Sequence, residues 1–277
     1  MALGAACSAP AGEVREPRAA RPMAGARPAR VAPVPAAGLA PAIEPEPAPE
    51  IADAFLPPAA PQRACNEQPP QPFLMRSSYA FRLDSTAKEA QRRKQIHRAA
   101  IEYRTRRYGH VEGFGDPTWN ALVPKQYTKV STFFGIRVRM NARVLAALAC
   151  VEEAIAEECS ATPYKPRVLD GLRARNTFYD GEVSNHVYGI AIDIDFDINP
   201  CCGCLPPLSD RPLCKEPAAT PFERTHIPRC WVDAFERYGF YWLGHDALED
   251  TMHFEFLGDP AGIARAPVQE RAVLGRR

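Results

Sequence analysis

Where the prolines fall limits this chain more than any other feature. Of the 29 prolines in 277 residues, more than half precede residue 73. Up to about Pro72 the chain is Pro, Ala, Arg and Glu with few large apolar side chains. Such a stretch buries too little apolar surface to offset the entropy lost on ordering. The composition therefore predicts a disordered, partly polyproline-like tether over 1–74. A single core fits into 75–260, and 261–277 reads as a flexible tail. Basic and acidic residues nearly cancel at a net charge of +1. They do not interleave with aromatics in a nucleic-acid pattern, so no nucleic-acid partner is expected. No stretch is long and apolar enough to span a bilayer as a helix, and a monomer is expected.

Nine cysteines are many for a cytosolic enzyme of this size. Cys201, Cys202, Cys204, Cys214 and Cys230 crowd a proline-rich loop, while Cys150 and Cys159 share a predicted helix. Nine residues along a helix separate those two by about 13.5 Å and half a revolution, too far to bridge each other. Disulfides to other partners compete with a structural zinc knuckle. The spacings lack two clean C-x2-C pairs, which favours disulfides and an exported protein.

Three segments carry regular periodicity. Residues 85–108 open with a Ser/Thr cap candidate and continue without Pro or Gly, which predicts a helix. Ile96, Ala99, Ala100, Tyr103 and Arg107 follow its spacing, and Arg92, Arg93, Lys94, Arg104, Arg106 and Arg107 give it a basic, solvated face. KVSTFFGIRVRMN (129–141) reads as a strand pair. Asn141 then caps a helix with an apolar stripe of Val144, Leu145, Leu148, Val151 and Ile155. A further helix is expected from about Pro228 to Tyr238.

SNHVYGIAIDIDFD (184–197) alternates. Side chains of a strand point to opposite faces in turn, so Ile190, Ile192, Ile194, Phe196 and Ile198 share one face and Ala191, Asp193, Asp195 and Asp197 the other. DTMHFEF (250–256) alternates too, with Met252, Phe254 and Phe256 opposed to Thr251, His253 and Glu255. Either pattern alone describes a half-buried strand with a wet face. Together, in one antiparallel sheet, they bring Asp193 and His253 towards each other, with His186 on the approach. Two imidazoles and a carboxylate are a ligand set for catalytic zinc, which keeps a fourth position for water. Asp250, three residues before His253, is the candidate base, with Glu249 its less favoured neighbour. Asp195 lies some 6 to 7 Å further along its strand than Asp193, too far to share the ion. His245 reads as structural or as part of the cleft rim, and His97 as structural.

SNHVYGIAID resembles the S-x-H-x-x-G-x-A-x-D signature of the zinc peptidases that include D-alanyl-D-alanine dipeptidases and carboxypeptidases and phage L-alanyl-D-glutamate endolysins. DTMHFEF resembles their closing D/E-x-x-H motif. The resemblance runs over roughly 166–259. It implies an α+β fold, with a small central antiparallel sheet carrying the zinc site and helices flanking it. It further implies zinc held by His186, Asp193 and His253, with Asp250 as the general base. GLR (171–173) resembles a G-Y-R segment that carries a substrate-binding arginine, with Leu172 in place of the aromatic. That makes Arg173 the substrate-binding candidate and Arg175 the alternate. Ser184 is expected behind the ligands, steadying one of them by a hydrogen bond.

The expected substrate is the peptide stem of peptidoglycan, cut at a D,D-carboxypeptidase or L-Ala-D-Glu-type bond in the periplasm, cell envelope or outside the cell. LGAAC, ending at Cys7, resembles the end of a bacterial lipoprotein signal, with Leu3 one place further from the cysteine than usual. Cys7 is thus a candidate lipid-anchor site, which leaves eight cysteines to pair. Two other readings share these residues. One is a non-catalytic zinc-fold module that binds cell wall, and the other is a disulfide-stapled structural or adhesion protein.

Overall fold

The computed structural model describes residues 65–80, 82–176 and 182–263. These include α1 (Arg76–Tyr79), α2 (Ala87–Tyr108), a hairpin of β1 (Thr128–Phe133) and β2 (Ile136–Asn141), α3 (Leu145–Glu158) and β3 (Leu169–Asp170). Then follow β4 (Ala191–Ile194), α4 (Pro212–Lys215), α5 (Arg229–Arg237), β5 (Phe240–Trp242) and β6 (His253–Phe256). The architecture is the expected mixed α+β one. β3, β4, β6 and β5 form a four-stranded sheet in that spatial order, antiparallel throughout, and β1 pairs with β2 in a separate ribbon.

Alternation decides which face of the sheet meets the helices. Ile192, Ile194, Phe254 and Phe256 are fully buried in one core with Leu148, Val151 and Ile155 of α3 and with Trp231, Val232 and Phe235 of α5. Phe235 stacks on Phe254 with ring centroids 4.1 Å apart. Burying one such phenylalanine stabilises the fold by roughly 1.5–3 kcal/mol. The opposite face is not wet, since Asp193, His253 and Glu255 are all buried.

α2 starts where its cap predicts. Thr86 Oγ1 accepts the Glu89 N–H, and the Glu89 carboxylate accepts the Thr86 N–H, closing a capping box. Its buried face is displaced from the predicted stripe. Ala100, Ile101, Arg104, Thr105 and Tyr108 are buried, whereas Ala99 is exposed. Arg104, expected on the solvated basic face, is instead among the most buried charged groups of the described residues. Its Nη2 donates to the carbonyl of Leu74 at 2.9 Å.

The fold also begins ahead of its compositional boundary. Cys65 is bridged to Cys150, the Asn66 N–H donates to the carbonyl of Ile263, and the Gln71 N–H to that of Leu257. Leu74 is buried. Residues 65–74 are therefore part of the fold, as is Ile263 at its other end. Cys7, residues 1–64 and residues 264–277 lie outside the described residues. The other eight cysteines form four disulfides: Cys65–Cys150, Cys159–Cys230, Cys201–Cys204 and Cys202–Cys214. Cys150 and Cys159 each take a partner away from their helix, and the zinc-knuckle alternative falls because its thiols are bridged.

Candidate metal centre

Two direct cross-strand pairs set the position of the site. Asp193 is the partner of Asp170 on one side and of His253 on the other. His186 comes from the turn that leads into β4. That turn depends on Gly189, whose φ of +69° is unfavourable for any residue with a Cβ. The Gly189 N–H donates to the His186 carbonyl, and the Gly189 carbonyl accepts the Asn141 N–H. Asn141 is thus both the cap before α3 and the anchor of the ligand turn.

Three candidate ligand atoms converge. His186 Nε2 lies 3.1 Å from Asp193 Oδ1 and 3.1 Å from His253 Nδ1, and His253 Nδ1 lies 2.8 Å from Asp193 Oδ1. Donors bound to zinc at about 2.0–2.1 Å on a tetrahedron stand about 3.3 Å apart, so the triangle is of the right size.

Proton placement supports the same reading. His186 Nδ1 sits 2.5 Å from the carbonyl of Gly171, which can only accept, so that nitrogen carries the hydrogen and Nε2 keeps its lone pair. His253 Nε2 faces the Glu255 carboxylate at 3.4 Å, so Nδ1 keeps the lone pair in the neutral ring. Two lone pairs and a carboxylate oxygen then face one another about 3 Å apart, an arrangement that only a cation makes favourable. With a proton as that cation, burial opposes the charge on His253, yet hydrogen bonds to Asp193 and Glu255 push its pKa up to about 10. Burial likewise opposes the charge on Asp193, and the two histidines hold it well below the usual carboxylate range. The residues present fit zinc.

Support for these ligands comes from behind. Glu255 Oε2 accepts from Asn185 Nδ2 at 2.7 Å as well as from His253, and the charge of Arg104 also holds Glu255 low. Gly171 is needed as glycine, because a Cβ there would run into the Arg139 carbonyl. Asn185, Arg104 and the Gly171 carbonyl carried no signal in spacing or parity. Ser184 is buried and stands 3.4 Å from the backbone N–H of His186, while its own N–H donates to Asn176 Oδ1 at 2.9 Å.

Arg173 reaches the same centre from the end of β3. Its Nη2 donates to Asp193 Oδ2 and its Nε to Asp170 Oδ2 at 2.6 Å, leaving Asp193 Oδ1 for the two imidazoles. Arg175 is exposed. Asp250 lies in the segment that pairs with Cys201, and its carbonyl accepts the His253 N–H at 3.3 Å. Its Oδ1 is sequestered without a hydrogen-bond partner. Burial pushes its pKa up to about 7, with His253 opposing and Asp193 reinforcing the rise. Cys201 and Cys204 also lie near its carboxylate, but their sulfurs are joined and offer no thiolate.

Three polar groups expected near the site do other work. β4 ends at Ile194, and Asp195 turns the chain with a φ of +47°. Face parity therefore fails beyond it: Asp195 is fully buried and Phe196 is exposed. The Asp195 carboxylate accepts from Tyr164 Oη and from the N–H groups of Arg167 and Val168. Asp197 pairs with Arg167 at the surface. His245 packs edge-on against Trp242 and Phe222.

Comparison with curated proteins and with solved structures finds no match for this chain. A family model described as D-alanyl-D-alanine carboxypeptidase matches residues 179–256. That segment contributes His186, Asp193 and His253, the three candidate ligands, together with Asp250, so it is the site-bearing part of this chain that is similar to the D-alanyl-D-alanine carboxypeptidase family.

Proposed function

We propose that the protein is an exported zinc peptidase that hydrolyses peptide bonds in the stems of peptidoglycan, as a D,D-carboxypeptidase or an L-Ala-D-Glu-type endopeptidase. The observation that carries this reading is the triangle of His186 Nε2, Asp193 Oδ1 and His253 Nδ1, with edges of 2.8 to 3.1 Å. Those three atoms would hold the zinc. Bound there, zinc supplies Lewis acidity towards a carbonyl and lowers the pKa of water.

Asp250 acts as the proton carrier. A carboxylate with a sequestered, unpartnered oxygen and a pKa near 7 accepts a proton from the attacking water and returns it to the leaving amine near neutral pH. Arg173, with about a third of its side chain exposed, meets a substrate carboxylate or developing oxyanion with its free edge. Its bond to Asp193 keeps it aimed at the centre. Four disulfides suit a protein that works in an oxidising compartment. A lipid anchor at Cys7 and a monomeric state belong to the same reading.

Digestion of purified muropeptides, followed by mass spectrometry with and without a chelator, tests it. The expected result is chelator-sensitive release of D-alanine or of a cut stem, lost in Asp250→Ala. Equal product from wild type and variant, or protein purified without stoichiometric zinc, would overturn it.

A further inference from the structure

A cavity lined mainly by arginines lies away from the candidate metal centre and shares no residue with it. It encloses about 410 Å³ and is lined by Arg106, Arg107, Arg143, Asp259, Pro260 and Ala261. Arg106 and Arg107 end α2, and Arg143 lies in the turn between β2 and α3. Three guanidiniums from two separate elements thus face one carboxylate.

Their charges are only partly answered. Arg106 pairs with Glu102 on its own helix at 2.8 Å. Arg107 reaches Asp259 only at 3.9 Å, and the Asp259 carboxylate is partly spent in accepting the Ala261 N–H. Arg143 makes no ion pair among the described residues. Its guanidinium lies 5.6 Å from the Tyr127 ring.

The cationic groups are also held in place. Arg107 stacks 4.1 Å over Tyr103, whose hydroxyl donates to the Gly258 carbonyl and accepts from Gln71 Nε2. Arg106 lies 5.9 Å from the Trp119 ring. Aromatic stacking of this kind restrains a flexible side chain while leaving the N–H edge of the fork free.

We propose that this cavity is a binding site for a phosphate-bearing ligand. The lining residues carry three positive charges against the one negative charge of Asp259, and Glu102 answers a further one from outside the lining; the cationic remainder attracts a phosphate group of about −1.5 to −2. A phosphate also offers several oxygens to forks arriving from different directions, whereas one carboxylate satisfies a single fork. The volume exceeds a lone phosphate and leaves space for whatever the phosphate is attached to. The same chemistry is presented by small phosphorylated molecules and by phospholipid headgroups.

The test measures binding of inorganic phosphate, tripolyphosphate and vesicles of phosphatidylglycerol in phosphatidylcholine to the purified protein. Intrinsic tryptophan fluorescence, to which Trp119 contributes, and calorimetry are suitable readouts at an ionic strength matched with chloride. Arg107→Gln, Arg143→Gln and the double variant are compared with Arg92→Gln, which removes an exposed charge from the other end of α2. Retained circular dichroism and an unchanged thermal unfolding midpoint establish that the variants fold. The expected result is saturable binding of at least one probe, weakened about tenfold or more in the double variant and unchanged in R92Q. Which probe binds identifies the source of the phosphate. Binding of none, or binding lost equally in R92Q, or equal binding by the double variant overturns the proposal. These measurements need no peptidase turnover to be read, so they stand or fall apart from the catalytic reading.

Discussion

Asp193 and His253 are sixty residues apart in sequence, yet they are direct partners across β4 and β6, with Asp193 Oδ1 2.8 Å from His253 Nδ1. The pairing fixes the two backbones relative to each other, because moving either one requires shifting the register of a buried sheet. A one-residue slip of either strand would send its own member of the pair to the core face.

Replacing His253 or Asp193 by Ala should therefore remove zinc without unfolding the domain. Metal analysis of the purified protein is expected to fall from about one zinc per chain to a small fraction, and hydrolysis with it. Retention of stoichiometric zinc by both variants would mean that the metal sits elsewhere.

Asp250→Asn separates the chemistry from metal binding, since Asp250 makes none of the three converging contacts. Loss of a general base typically costs about 10²–10⁴-fold in rate. The expected variant keeps its zinc and loses that much in kcat, read from initial rates on a stem peptide.

Glu255 and Asn185 form a chain behind His253, with Asn185 Nδ2 donating to the same carboxylate oxygen that faces the imidazole. Cutting such support lowers metal affinity by about 10–100-fold. Glu255→Gln should show this in competition with a chelator, and Asn185→Ala should show a smaller loss of the same kind.

Much of this was legible because parity works where a strand is regular. It put Asp193 and His253 on one face and Ile192 and Phe254 on the other, and the two strands do pair that way. It failed at Asp195, because a single left-handed residue ends the strand and periodicity carries no mark of where it stops. Arg104 was hidden by its neighbours. In a helix this rich in arginine, composition makes every basic residue look solvated, and only packing shows which one is buried. The disulfide partners depend on how distant segments meet. Spacing along α3 excluded a bridge between Cys150 and Cys159 but could not select Cys65 or Cys230.

In zinc-free protein, Asp250 should make stability fall with rising pH. A carboxyl whose folded pKa, about 7, exceeds its ordinary 3.8 binds more protons folded than unfolded between those values. Stability from this group is thus complete below about pH 4 and lost as pH rises to about 7. Three units set a ceiling of about 4 kcal/mol. Denaturant titrations in chelator at pH 5 and pH 8 should show a steeper loss for wild type than for Asp250→Asn. Parallel losses would mean that the carboxyl is not buried as placed.

The Cys65–Cys150 bridge tests where the fold begins. It joins positions 85 residues apart, and closing a loop of that length constrains the unfolded chain by about 4.6 kcal/mol in the chain-entropy model. The bridge also holds residues 65–74 near β6, where Gln71 bonds the carbonyls of Leu257 and Gly258. Cys65→Ala with Cys150→Ala should lower the unfolding free energy by about 2–5 kcal/mol and open the chain ahead of α2 to protease. Truncation to residue 75 should destabilise the domain further, because it also removes buried Leu74 and the carbonyl that Arg104 uses. If a chain starting at residue 75 were as stable as one starting at residue 65, the compositional boundary would be the physical one and these contacts would contribute nothing.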